Sequence, residues 1–214
     1  MGKGKKIERV NTTNKETWEP KTKVGKMVKV GEISRLEEIL ESGRPILEPG
    51  IVDVLLDGLE SENLEIRTTQ RVTDSGKRTR FRVVTVIGDK KGHVGIGVGK
   101  CEELKPAMDS AINDAKKNMI SVKSGCGSWE CKCKFSHSVP LRTSGKEGST
   151  VITIKPAPRG LGLAANSVVK KVMGMAGIQD AWSSMSGGRN VYNMAIATIK
   201  ALDRLNTMKP PLKD

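Results

Sequence analysis

The sequence predicts an α+β protein built in two parts. Three observations predict it. Apolar residues alternate with period two between Leu64 and Gly99, broken by two turn signals. A helical repeat follows at once, and a second strand-then-helix pattern begins beyond Pro140. Strands grouped ahead of helices, with no strict alternation of the two, point to α+β.

Residues 1–30 form a basic N-terminal arm, with nine cationic and three acidic side chains and almost no apolar periodicity. Alone it should be disordered. A basic arm of this kind orders on nucleic acid; a plain solubility tail is the alternative. Residues 31–63 reverse the charge, with two basic and nine acidic side chains. They read as a helical segment. Ser34 and Glu37 have capping-box spacing, Ile33, Leu36, Ile39 and Leu40 share a face, Gly43 is a stop, and Pro49 opens a second short helix through Ile51, Val52, Leu55, Leu56 and Leu59. This block is either a solvated acidic face or a docking surface for a basic neighbour, since it cannot lie on phosphates.

Residues 64–127 read as strand, strand, strand, helix. Leu64, Ile66 and Val72 mark the first strand and Asp74-Ser75-Gly76 the turn. The second strand runs from Thr79 to Ile87. It places Phe81, Val83, Thr85 and Ile87 on one face and Arg80, Arg82, Val84 and Val86 on the other. A turn at Gly88–Gly92 leads to the strand His93–Gly99, whose Gly95, Gly97 and Gly99 lie on one face. Something must pack closely there, a helix or an RNA backbone. The helix from Leu104 to Ile120 is the expected occupant, through Ala107, Met108, Ala111, Ile112, Ala115 and Met119. A phosphate loop fails here because position 94 is Val and position 101 is Cys, and the dinucleotide pattern fails at Lys100. His93 is expected at the surface or facing RNA.

Arg71, Lys77, Arg78, Arg80 and Arg82 surround the first turn. A protruding hairpin with five cations can enter between phosphate backbones, and the planar guanidinium fork matches phosphate oxygens. Lys90 and Lys91 at the second turn, Lys100 after the glycine strand, Arg159 in a Pro/Gly run, and Lys170 and Lys171 on a later helix complete the candidate RNA-binding set.

Residues 128–147 form a linker and hairpin with an unusual composition. Cys126, Cys131, Cys133 and His137 follow Cys-x4-Cys-x-Cys-x3-His. Three thiolates and an imidazole are an acceptable tetrahedral zinc set, with Cys101 as a substitute ligand. Unligated thiols beside a packed Trp129 are the alternative reading. No orienting acid or oxyanion site stands near in sequence, which argues against Cys/His catalysis. Residues 148–214 supply a strand Ser149–Ile154 after a turn at Gly145–Gly148. Helices follow near Ser167–Met175, capped by Asn166 or Ser167, and Val191–Leu205.

The composition narrows the partner. The formal net charge is +13, which attracts polyanions. Only 3% of residues are aromatic, too few for a strand-stacking binder, so backbone-directed RNA binding fits better. No apolar run is long enough to span a membrane, and residues 1–10 are not followed by the apolar run of a secretory signal.

The strings Gly76-Lys77-Arg78-Thr79-Arg80-Phe81-Arg82, Val86-Ile87-Gly88-Asp89 and Gly92 through Lys100 resemble the small-subunit ribosomal protein S-five family. Cys126-Gly127-Ser128-Trp129-Glu130-Cys131 and Pro156-Ala157-Pro158-Arg159-Gly160 resemble its archaeal form. The resemblance covers roughly residues 33–207. It implies a double-stranded-RNA-binding-like domain followed by an α/β domain with a left-handed crossover. It also implies binding to small-subunit ribosomal RNA near the decoding region and messenger entry, with a part in accuracy. The implied neighbours are the small-subunit proteins S-four and S-eight, and the implied location is the cytoplasmic ribosome. In the family the basic hairpin meets ribosomal RNA, which carries over to Lys77, Arg78, Arg80 and Arg82. The cysteine set is not general to the wider family, so the shared fold requires no cofactor and zinc would be an addition. Ser121-Val122-Lys123-Ser124 departs from the arginine-rich approach expected there.

Two other functions are open to such a chain. One is a free-standing regulator that binds structured RNA. The other is a small-molecule kinase, since the implied C-terminal fold occurs in such enzymes and Pro156 to Ala165 has the outline of their phosphate loop. Leu163 and Ala164 stand where that loop needs hydroxyls.

Overall fold

The computed structural model describes residues 8–9, 18–131, 133 and 135–208. The element order is β1 (Glu8–Arg9), α1 (Lys23–Val30), α2 (Leu36–Glu41), α3 (Pro49–Leu55), β2 (Glu60–Thr73), β3 (Gly76–Gly88), β4 (His93–Cys101), α4 (Leu104–Lys117), β5 (Met119–Ser121), β6 (Thr143–Glu147), β7 (Thr150–Pro156), β8 (Leu163–Ala164), α5 (Ser167–Met175), β9 (Ala181–Ser186) and α6 (Val191–Thr207). Two compact units result. Among the described residues, one comprises those up to 89 with 95–119, and the other 90–94 with those from 120 onward.

The first unit is organised by a sheet in the order β1-β2-β3-β4-β5. Strands β2 and β3 form a long antiparallel hairpin whose register runs from Glu60–Gly88 to Thr73–Gly76, with a bulge at Asn63/Glu65. The bulge matters, because an extra residue switches the face of everything beyond it. Val83, Val84, Thr85, Val86 and Ile87 are all fully buried, so this stretch of β3 is covered on both faces. Helix α4 lies against the glycine strand. A Cβ at Gly95, Gly97 or Gly99 would run into the carbonyls of Ala115, Ala111 and Ala107 respectively. The glycines therefore serve a helix packed at backbone distance, and Val83 joins Ala107 and Ala111 in the same layer.

The N-terminal helices corrected two expectations. Residues 18–30, read as part of a disordered arm, include the helix α1. Thr22 caps it by accepting from the Gly25 N–H at 3.1 Å, and Gly31 closes it with φ +88. Its apolar anchors are few but well spaced. Val28 is buried with Leu36, Ile39, Ile46, Ile51, Val52 and Ile87, and Trp18 and Val24 pack on that cluster. The Glu48 carboxylate accepts from the Lys21 and Thr22 N–H groups at 2.9 and 2.6 Å and ties down the chain ahead of the helix. The capping box at Ser34 and Glu37 is not made. Helix α2 starts after Arg35, which has no side-chain capping bond. Pro49 does open α3, where a missing N–H costs nothing. The rest of the arm, residues 1–7 and 10–17, lies outside the described residues.

The second unit holds a sheet in the order β6-β7-β9-β8, antiparallel except for the β8–β9 pair. Strand β6 occupies residues expected to form a turn, and the reversal falls at Gly148, whose φ is +55. Helices α5 and α6 are capped by Asn166 and Asn190, which accept from Val168 and Tyr192 N–H groups. The device of the first unit recurs, for a Cβ on Gly145 of β6 would meet the Ala197 carbonyl of α6. Strand β9 was not foreseen, because Ser183, Ser184 and Ser186 give it little apolar alternation.

Candidate RNA-binding face and thiol cluster

The hairpin gathers its cations by strand geometry. Residues opposite each other in an antiparallel pair share a face, as do residues two apart along a strand. Arg71 lies opposite Arg78, Arg67 opposite Arg82, and Thr69 opposite Arg80. Five arginines therefore stand on one face, which is the opposite face from Val83 and α4. Lys77 is opposite Val72 and stands on the other face. Every residue from Ile66 to Val72 and from Asp74 to Arg80 is exposed. A concavity of about 260 Å³ near the tip is lined by Thr69, Gln70, Arg71, Thr73, Arg78 and Arg80.

Two of these pairs put arginine against arginine, an arrangement that destabilises a hairpin in isolation. Compensation inside the chain reaches only part of the face. Glu65 lies 2.5 Å from Arg67, and Glu102 lies 4.0 Å from Arg80. Among the described residues no ion pair is made by Arg71, Lys77 or Arg78. Exposed cations gathered in this way attract polyanions. Arg67 escaped the sequence reading, although its period-two spacing from Arg71 was a usable signal.

The other predicted cations stand outside the β2–β3 hairpin. Lys90 and Lys91 are exposed in the β3–β4 turn, where Lys90 has φ +58 and its N–H bonds the Met175 carbonyl at 3.0 Å. Lys100 is exposed near the end of β4. In the second unit Lys170 is exposed and Lys171 half-buried on α5. Arg159 is exposed, with its guanidinium 5.4 Å from the Phe135 ring centroid. His93 opens β4 and is half-buried.

The four predicted metal-ligating residues come together. The sulfurs of Cys126, Cys131 and Cys133 and a ring nitrogen of His137 all lie within 4.8 Å of one another. His137 Nε2 is 3.1 Å from Cys133 Sγ and 3.7 Å from Cys131 Sγ. Cys131 and Cys133 are 2.9 Å apart, and all four cysteines are free thiols. The two share charge unequally. Cys131 is held down to about 6, chiefly by the Cys133 thiol and then by backbone N–H groups of Arg159 and Cys133. Cys133 is pushed up to about 11, chiefly by Cys131 and then by desolvation. The substitute ligand Cys101 stands at the end of β4 against the Val83 layer. Trp129 is 90% exposed, so it does not pack over the thiols as one reading required.

Behind the cluster, buried His137 directs Nδ1 at Asp180 Oδ2, 2.8 Å away, which leaves Nε2 facing the sulfurs. That is the outer partner a metal-bound imidazole takes. The donor set and its support fit a tetrahedral metal ion. Asp180 lies 43 residues from His137 in sequence, and no local pattern announces it.

The run Pro156–Ala165 is no phosphate cradle. The Ala157 N–H is given to Ser138 Oγ at 3.2 Å, Arg159 N–H to Cys131, Leu161 N–H to the Pro158 carbonyl at 3.4 Å, and Gly162 N–H to Asp180 Oδ1 at 2.7 Å. These donors, which an oxyanion would need, are spent internally.

Comparison with known proteins identifies the family. The model of "Ribosomal protein S5, N-terminal domain" matches residues 59–123, and that of "Ribosomal protein S5, C-terminal domain" matches residues 145–213. The small ribosomal subunit protein uS5 of Methanocaldococcus jannaschii is 52% identical over 90% of this chain and 89% of its own. That of Methanoregula boonei is 46% identical over 91% and 96%, and that of Methanothermobacter thermautotrophicus 46% over 94% of each. With the hairpin, the glycine strand under its helix and all but the first two residues of the second sheet inside the matched spans, the chain belongs to the ribosomal protein S5 family, in the form found in archaea.

Proposed function

We propose that this protein is a structural constituent of the small ribosomal subunit, gripping ribosomal RNA through the arginine face of β2 and β3. One observation carries the reading: five arginines share a face, two pairs of them directly opposed, and Arg71 and Arg78 near the tip are exposed and make no ion pair among the described residues. The role is positional and not enzymatic. The relatives are ribosomal proteins, and the loop with a kinase outline spends the N–H groups of Ala157, Leu161 and Gly162 on internal acceptors. The family resemblance supports a place near the decoding region and messenger entry, with a part in accuracy and S-four and S-eight as neighbours in the cytoplasmic ribosome. Lys90, Lys91, Lys100, Arg159, Lys170 and Lys171 supply further phosphate contacts from their separate positions.

The test is the salt dependence of binding to a small-subunit RNA fragment. Each phosphate contact contributes roughly 0.7–0.9 to the slope of log affinity against log salt. Changing Lys77, Arg78 and Arg80 together to Ala should flatten the slope by about 2–3 units and impair subunit assembly. An unchanged slope with normal assembly would remove the hairpin from the interface.

A second reading rests on the thiol cluster. Cys126, Cys131, Cys133 and His137 would hold a structural zinc ion, three thiolates and Nε2 completing a tetrahedron. Zinc would contribute stability to the segment between Cys126 and His137. Metal analysis of the purified full chain decides it: one equivalent is expected, and none would leave the thiols unligated.

A further inference from the structure

The turn that carries Arg159 is suspended from the thiol cluster. Its backbone donors go to three residues that belong to the cluster or adjoin it. Arg159 N–H faces the Cys131 sulfur and helps to hold it down, Gly162 N–H bonds Asp180 Oδ1 at 2.7 Å, and Ala157 N–H bonds the hydroxyl of Ser138, next to His137. Asp180 joins the two systems. One carboxylate oxygen holds His137 Nδ1 and the other holds Gly162 N–H. It is 4% exposed, and the Gln179 and Asp180 N–H groups both return to the His137 carbonyl at 3.0 and 3.1 Å. The turn's own conformation gives it little independent rigidity, since Gly160 and Gly162 both have positive φ.

We propose that Asp180 is a positioning residue that couples metal binding at the thiol cluster to the order of the Arg159 turn, so that the metal sets up a second RNA-contact point. The proposal rests on the metal reading above. A ligated Nε2 draws electron density from the imidazole and makes Nδ1–H a stronger donor to Asp180. The charge-assisted bond then fixes the carboxylate plane that receives Gly162. A metal-bound Cys131 thiolate likewise fixes the acceptor of Arg159 N–H. With the metal absent, the Arg159 N–H faces an unligated thiol and Asp180 holds an unligated imidazole. Arg159 and Phe135 are exposed together beside the cluster, as an RNA-facing pair would be.

The experiment uses the full chain with zinc and with cobalt as a spectroscopic probe. In the wild type, zinc should slow tryptic cleavage after Arg159 at least tenfold relative to the chelated protein. Asp180→Asn keeps the size of the side chain and removes its charge. It should weaken zinc roughly ten- to hundredfold in chelator competition. It should retain the thiolate-to-cobalt charge-transfer bands that report the same ligands, and stay cleavable after Arg159 at saturating zinc. Asp180→Glu should recover part of the zinc affinity. Equal zinc affinity in Asp180→Asn, or cleavage after Arg159 indifferent to zinc in the wild type, overturns the coupling while the metal site stands. A wild type that binds neither ion overturns the metal reading and the coupling with it.

Discussion

Lys116 of α4 and Asp53 of α3 form an ion pair that is almost wholly removed from water, with side chains 4% and 2% exposed. The ammonium lies 2.7 and 2.8 Å from the two carboxylate oxygens. Nothing in the sequence marked Lys116 as buried, because it falls between apolar Ala115 and exposed Lys117 on a helix whose stripe was otherwise legible. Breaking such a pair strands a charge, while replacing both partners does not. Lys116→Met should destabilise the protein by roughly 3–5 kcal/mol in urea unfolding, and adding Asp53→Leu should restore most of the loss. A double variant no better than the single would mean that packing, not charge, holds α3 to α4.

At the scale of the element, the β2–β3 hairpin carries two like-charge pairs that lower its own stability. From Arg67 to Thr73 it extends about 20 Å at strand rise with every position but the last exposed. Alternation in the sequence placed Arg80 and Arg82 on the face away from Phe81 and Val83, and the structure keeps them there. What alternation could not supply was the cross-strand register, which puts Arg71 against Arg78 and Arg67 against Arg82. Arg78→Glu converts one repulsive pair to an attractive one. The free protein should gain roughly 0.2–1 kcal/mol in thermal unfolding, while RNA affinity falls at least tenfold. Loss of stability together with loss of binding would show that the register pairs these residues differently.

At the scale of the whole molecule, charge is segregated along the chain. Residues 31–63 carry net −7 within a protein of net +13. In the first unit that acidic block forms α2 and α3, packed around Ile87, Ala115 and Met119, at the end of β3 away from the arginine-bearing turn. An acidic surface at the base and a basic one at the tip suit a protein neighbour at one end and RNA at the other. Crosslinking on intact small subunits should place RNA contacts in residues 67–82 and none in residues 36–55. RNA crosslinks at α2 or α3 would refute that division.

The sequence by itself determined the strand-strand-strand-helix unit, the glycine face that admits α4, the helix starts at Pro49 and Ser167, the basic turn and the family. These follow from local periodicity and from residue types whose constraints act within a few positions. It also named the four thiol-cluster residues, since their spacing is short. Only the tertiary structure decided the rest. Helix α1 forms because Val28 and Trp18 find a cluster built from later residues. Strand β9 exists because β7 and β8 flank it. Arg67 joins the arginine face through register, and Asp180 reaches His137 across 43 residues. Each of these depends on a partner distant in sequence, and periodicity carries no information about which distant residues will meet.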